Sequence, residues 1–308
     1  MDRLSLSVQK DSNMTDQELS WSTTFACGEV RGGNGISHHL SELPGLRGVL
    51  YSRPSTGHHG GDIHYLSVCG SGLMSRVCLA DVAGHGEVVA TIGRGIHDHL
   101  RRSVDVIDER KVLSRLNDRL EAQQVSVMTT AVLATYYPPR KRLTVCYAGH
   151  PLGWLYRAAA GQWLPLAVEV PSPAEPLAFA DIPLGTGLAP TFNRHSFTVA
   201  PGDRLLLVTD GVLETASPDD QPFDRHGIEQ VLRATHGTCE DTADRLLDAL
   251  HAHADMNELA HDDVTFFLGE IVDGPPGPAL WHVVKNRMLS RERKPASSTD
   301  PGLGARSS

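Results

Sequence analysis

The sequence predicts an α+β protein: an antiparallel β-sandwich flanked by helix pairs. Three observations lead there. The elements run in the order strands, two helices, strands, two helices, strand, which is not the strict alternation of a parallel doubly wound sheet. The chain is long enough, at 308 residues with 40% hydrophobic and 21% charged content, to bury a sizeable core. No internal repeat divides it.

Residues 1 to about 22 are polar and aperiodic and read as a flexible arm, so residues 1–44 are taken as this arm with the first elements. Strands follow at 47–52, 63–69 and 74–81. A helix is expected at 86–102, where Val88, Ile92, Ile96 and Leu100 repeat every four residues on one face, and a second at 110–123. Strands are expected at 127–136, 143–148 and 153–157. The proline-rich stretch "VEVPSPAEPLAFADIPLG" at 168–185 reads as an irregular crossing loop. Strands at 196–199 and 203–209, helices at 226–234 and 239–254, and a strand at 263–271 complete a domain drawn as 45–272. The remainder, 273–308, opens "DGPPGPAL" and ends "KPASSTDPGLGARSS". That composition cannot bury enough surface to fold alone and reads as a flexible basic tail. Within it "ALWHVVKNRML" places Trp281, Val284 and Met288 on one side, so a partner-docking helix is the alternative.

The last 36 residues carry a net of +3 against −9 for the whole chain, which leaves −12 on the rest. An acidic body argues against nucleic acid as the main ligand, because phosphate backbones demand clustered Lys and Arg. It suits a protein that holds cations. Cys27, Cys69, Cys78, Cys146 and Cys239 are dispersed without a CxxC pair, the usage of reduced thiols in a cytoplasmic protein. No apolar signal segment opens the chain, and no run approaches a membrane span of roughly 18 apolar residues.

Four acidic motifs sit where a strand meets a turn. Gly60-Gly61-Asp62 opens one strand, Asp81 closes another, Asp210 closes "RLLLVTDGV", and Asp262-Asp263 opens the last. Singly, each is ordinary turn chemistry. Together, carboxylates at strand ends of packed sheets converge on one edge, where they repel unless a cation neutralises them. An all-oxygen set selects the hard ions Mg²⁺ or Mn²⁺. Gly84 and Gly86 then let the backbone turn sharply, leaving a main-chain carbonyl after Asp81 free to act as a ligand.

In order and spacing, "GGDIHYL", "LADVAGHGE", "VCYAGHPLGWLYR", "PGDRLLLVTDGVLET" and "HDDVTFFL" resemble the PPM-type metal-dependent Ser/Thr protein phosphatases. The bacterial branch of the sporulation stage II protein E phosphatase and the stress-response sigma-factor regulators is the nearest in pattern. This resemblance covers about residues 45 to 272. It implies an α-β-β-α sandwich with two metal ions at one end. Asp81 would bridge both metals, and the Val82 carbonyl would be a backbone ligand. Asp210 and Asp262 would hold one ion, and Asp62 the second, directly or through water. Asp263 is a neighbour of the aligned ligand and ranks below it. Arg53 is a candidate for the phosphate-holding arginine of animal and plant relatives, with an exposed loop arginine as the other reading. Gly149-His150-Pro151 stands where those relatives have Gly-Asp-Ser-Arg, so His150 approaches a third metal or satisfies a turn. His85 is a candidate acid for the leaving oxygen, since imidazole titrates near neutrality.

The implied function is hydrolysis of phosphoserine or phosphothreonine by a metal-activated water, on an anti-sigma-factor antagonist. A pseudophosphatase that only binds phosphoproteins is the alternative, disfavoured because Asp62, Asp81, Asp210 and Asp262 are all present. His97-Asp98 and His261-Asp262 also suggest the all-helical HD phosphohydrolases, but His261-Asp262 precedes a strand-like pattern. His97 and His99, like His251 and His253, are two apart on helices and cannot form a zinc pair. His38-His39 and His58-His59 read as solvated loops. With only about 45 residues ahead of the catalytic region, regulatory input is expected from a partner, the termini or expression level.

Overall fold

The computed structural model describes residues 22–84, 87–122, 127–166, 182–187, 190–255 and 262–274. These residues form two stacked sheets. One holds β1 (Ser22–Thr24), β3 (Ser37–Leu43), β4 (Leu46–Arg53), β13 (Val264–Ile271), β12 (Arg204–Val208), β9 (Trp154–Arg157) and β10 (Gln162–Pro165), in that spatial order. The other runs β11 (Arg194–Thr198), β8 (Arg142–Ala148), β7 (Thr129–Tyr137), β6 (Ser75–Val82), β5 (His59–Val68) and β2 (Val30–Gly35). Every neighbouring pair is antiparallel except β1 with β3.

Alternation along the strands sorts side chains into three apolar layers. Leu50, Leu66, Val77, Leu79, Val132 and Phe267 fill the space between the sheets. The opposite faces of β5 and β6 present Ile63, Tyr65, Cys78 and Ala80 to two helices, α1 (Glu87–Arg102) and α2 (Glu109–Ala122). The expected helical stripe is buried there as Ile92, Ile96 and Leu100, each contributing on the order of 1.5–3 kcal/mol. On the far side, Val49, Phe266 and Leu268 meet α4 (Asp224–Ala234) and α5 (Cys239–His253). Thr238 starts α5 with a reciprocal capping box to Asp241. The order is therefore helix pair, sheet, sheet, helix pair. Among the described residues no helix is long and apolar enough to cross a membrane.

The turn between α1 and α2 is tied to the sheet through buried charge. Arg76 on β6 is 2% exposed. It donates from Nε to Thr135 Oγ1 (3.0 Å), from Nη1 to the Ser103 carbonyl (3.2 Å) and from Nη2 to the Val106 carbonyl (2.5 Å). Glu109, the first residue of α2, is fully buried; it accepts from Thr144 Oγ1 (2.6 Å) and faces Arg194 Nε at 3.0 Å. Arg76 thus supplies donors to two carbonyls of the turn between the helices, and the Val106 carbonyl would otherwise be without one.

Three features differ from the sequence expectation. Residues 22–43 supply β1, β2 and β3, so strands of the sandwich begin at Ser22, upstream of residue 45. "VRGGNG" and "SHHLSEL" lack β-branched alternation, and the sheet imposes extension on them. Asp210 opens a one-turn helix, α3 (Asp210–Glu214), instead of a loop. His38-His39 lie in β3 and His59 in β5, not in loops. Most of the crossing loop (167–181), the "ALWHVVKNRML" segment and His261 lie outside the described residues.

Candidate active site

Register places the first two carboxylates face to face. Asp62 on β5 pairs directly with Asp81 on β6, where side chains of opposed residues approach to roughly 5 Å at Cβ. Like charges so placed destabilise a sheet. Asp62 shares the face of Leu66 and Asp81 that of Leu79, so both point to the mouth of the inter-sheet space. From the other sheet, Thr209 at the end of β12 donates to Asp62 Oδ2 (2.7 Å) and accepts from the Thr265 amide (3.1 Å). Thr209 precedes α3 without capping it, because its hydroxyl is engaged by Asp62.

The acids perturb one another. Burial pushes the Asp62 carboxyl well above its ordinary range, and Asp81 and Asp263 push the same way against the Thr209 hydrogen bond. Asp81 is raised to about 7, first by burial and then by Asp210 and Asp262. Burial also raises Asp210, helped by Asp262 and Glu214. Asp262 stands at the exposed rim, where partial desolvation and Asp263 raise it while water screens much of the effect. Sequence reasoning missed Thr209, Thr265 and Glu214. Glu214 was legible as the residue one helical turn after Asp210, once α3 is recognised.

Asp263 does something different from its neighbour. It is buried, and its carboxylate accepts three backbone amides: Ser55 (2.6 Å), Gly61, and Asp62 (3.2 Å). It therefore ties the start of β13 to the Gly60-Gly61-Asp62 stretch of β5. Strand alternation explains the division, since consecutive residues face opposite ways. At Gly61 a Cβ would lie 2.8 Å from the Val82 carbonyl oxygen, so only glycine leaves that carbonyl clear. Gly84 has φ +121°, which turns the chain away after Val82.

The other candidates fall as follows. Arg53 ends β4 opposite Val264, on a strand beside Asp263 and not in a loop. His150 is fully buried, with Nδ1 2.9 Å from Thr130 Oγ1, and burial lowers its pKa to about 3, so it is neutral. His85 lies outside the described residues. Among the described residues no three His, Cys, Asp or Glu side chains stand close enough to enclose a metal ion. The donor chemistry nonetheless fits hard divalent cations: carboxylates and one carbonyl, all oxygen, in a desolvated cluster whose charge needs neutralising.

The family profile of Stage II sporulation protein E (SpoIIE) matches residues 74–271, more than half of the chain. The chain belongs to this family. It is a PPM-type serine/threonine protein phosphatase of the SpoIIE and Rsb branch. Solved structures agree on the fold. RsbX in complex with magnesium matches with a TM-score of 0.56 and 17% identity over 76% of this chain and 100% of that one. The RsbU and RsbW domains of a Mycobacterium tuberculosis protein match at 0.57 and 21% identity, over 82% and 65%. The catalytic domain of PstP with two manganese ions matches at 0.53 and 18% identity, over 74% and 99%. No curated protein sequence matches the chain. With this sandwich of antiparallel sheets, the all-helical HD reading falls, and His97-Asp98 is an α1 pair beside Tyr65.

Proposed function

We propose that this SpoIIE-family chain hydrolyses phosphoserine and phosphothreonine with two divalent cations, Mn²⁺ or Mg²⁺. The observation that carries the reading is the opposed Asp62–Asp81 pair, flanked by Asp210 and Asp262, with all four carboxyls raised. Magnesium in RsbX and manganese in PstP support the choice of ion. Asp81 would serve both ions, Asp210 and Asp262 one, Asp62 the other, and the Val82 carbonyl would add a neutral ligand.

When bound, such a pair of cations supplies a hydroxide near neutral pH and neutralises phosphoryl charge. The remaining work belongs to the chain. Thr209 orients Asp62 through its hydroxyl. Asp263 holds the Gly61 and Asp62 amides, so the start of β5, which carries Asp62, keeps its place. His85 is the proposed donor to the leaving serine oxygen, and Arg53 the proposed contact to phosphate. The substrate we favour is a phosphorylated anti-sigma-factor antagonist in the cytoplasm, supported by the likeness to RsbX and to the RsbU domain.

Two assays test this. Turnover of p-nitrophenyl phosphate and of a phosphoserine peptide should require Mn²⁺ or Mg²⁺ and vanish in EDTA, and calorimetry should detect cation binding without substrate. Full activity in a thoroughly chelated sample overturns the metal reading. Metal binding with no turnover of any phosphoester leaves the phosphoprotein binder as the function. A phosphoproteome with and without the protein identifies the substrate.

A further inference from the structure

A cationic groove of about 470 Å³ lies on the helix pair of the β5–β6 sheet. Its walls are Arg110, Lys111, Ser114 and Arg115 of α2 on one side and Thr191 with Phe192 on the other. Asp108 neutralises Arg110 through two contacts, Nε to Oδ1 (3.0 Å) and Nη2 to Oδ2 (2.9 Å). Lys111 and Arg115 are both exposed, and neither has an ion-pair partner among the described residues. They stand one helical turn apart, and Arg119 follows after another. Like charges at this spacing work against the helix. After burial, Arg119, Arg115 and Arg102 hold the His99 pKa down, which reports a positive potential over the same helices. Ile107, the most exposed large apolar side chain described at 69%, is next to Asp108 in the chain.

The groove is remote from the acids. Glu109, at the start of α2, bonds Thr144. Thr144 pairs with Thr135, which pairs with Arg76. Arg76 is itself five residues from Asp81 along β6, roughly 16 Å, and the groove lies two strands and a helix layer away from Arg76.

We propose that this groove docks an acidic, partly apolar segment of the phosphoprotein substrate at a distance from the phosphorylated residue. The proposal rests on the chain acting on a phosphoprotein. Uncompensated cations on one wall fit carboxylates. Ser114 and Thr191 offer hydroxyls, and exposed Ile107, beside the groove-lining Asp108 in the chain, offers apolar surface. A nucleic acid fits poorly, because these few cations do not track a phosphate backbone and the chain as a whole carries −9.

The test is fluorescence anisotropy with a labelled, unphosphorylated peptide of alternating Glu and Leu, on the full chain in EDTA, so that catalysis plays no part. Wild type should bind, and Lys111→Glu/Arg115→Glu should bind at least tenfold more weakly. The double variant should raise KM for an acidic phosphopeptide while leaving kcat/KM for p-nitrophenyl phosphate unchanged. Should it fold poorly, Lys111→Gln/Arg115→Gln replaces it, with a smaller loss in the same direction. No binding by wild type, or equal binding by the variant, overturns the proposal. So does a preference for duplex RNA or anionic lipid vesicles that the variant loses. Peptide binding that persists in a chain inactive on every phosphoester would refute the hydrolytic reading and not the groove.

Discussion

Asp81 keeps its proton longer in the folded chain than in the unfolded one, because burial and the neighbouring Asp210 and Asp262 raise it to about 7. Between about pH 4 and pH 7 the folded state therefore binds more protons. Metal-free stability must fall as pH rises through that window. Asp81→Asn removes this term. Its Tm in EDTA at pH 7 should equal or exceed wild type, with a flatter pH profile, while kcat in Mn²⁺ drops by at least about two orders of magnitude. An active but less stable variant would show that Asp81 serves only the structure of β6. Asp263→Asn should behave in the opposite sense. Its amide nitrogen must meet one of the donors that Asp263 now accepts from, so EDTA-state stability should fall by about 1–3 kcal/mol. A Tm in EDTA that rises instead would make Asp263 one more member of the repelling cluster. Sequence alone ranked Asp263 below Asp262 but left its role open. Strand alternation was available; the amides of Ser55 and Gly61, some 200 residues away, were not.

At the scale of elements, helices with a four-residue apolar repeat and strands with clear alternation were legible. The acidic positions were too, because Asp beside Gly at a strand end is a local signal. What escaped were elements that exist only through tertiary pairing. The Gly-rich β2 is extended because β5 lies beside it. Short α3 forms where Thr209 is anchored between Asp62 and Thr265. The α1–α2 turn is likewise held from outside, by Arg76. Arg76→Met takes from the Val106 carbonyl its donor, leaves the Ser103 carbonyl only the Val106 amide, and leaves Arg194, among the described residues, as the one cation beside buried Glu109. Removing one member of such a buried set costs roughly 3–5 kcal/mol. Chemical denaturation should show that loss, and hydrogen exchange should place it in residues 99–113. A loss under 1 kcal/mol would mean that apolar packing alone seats the helix pair.

At the scale of the molecule, the described fold ends just beyond β13, where the Val272 amide donates to the Gly45 carbonyl (3.0 Å). Deleting residues 275–308 should therefore leave Tm and metal-dependent turnover of p-nitrophenyl phosphate unchanged. An insoluble or inactive product would show that the tail is part of the fold. The position of β13 has a consequence for synthesis. This strand, the last among the described residues, is inserted between β4 and β12, pairing Leu46 with Ile271 at one end and Arg53 with Val264 at the other. A nascent chain still short of residue 262 leaves the facing edges of β4 and β12 unpaired and lacks Asp262 and Asp263. Completion of this sheet must wait until residue 271 has been synthesised, since contacts this distant in sequence cannot form earlier. A stalled or clipped product is thus born inert, and its open edges are the surface that chaperones and proteases engage.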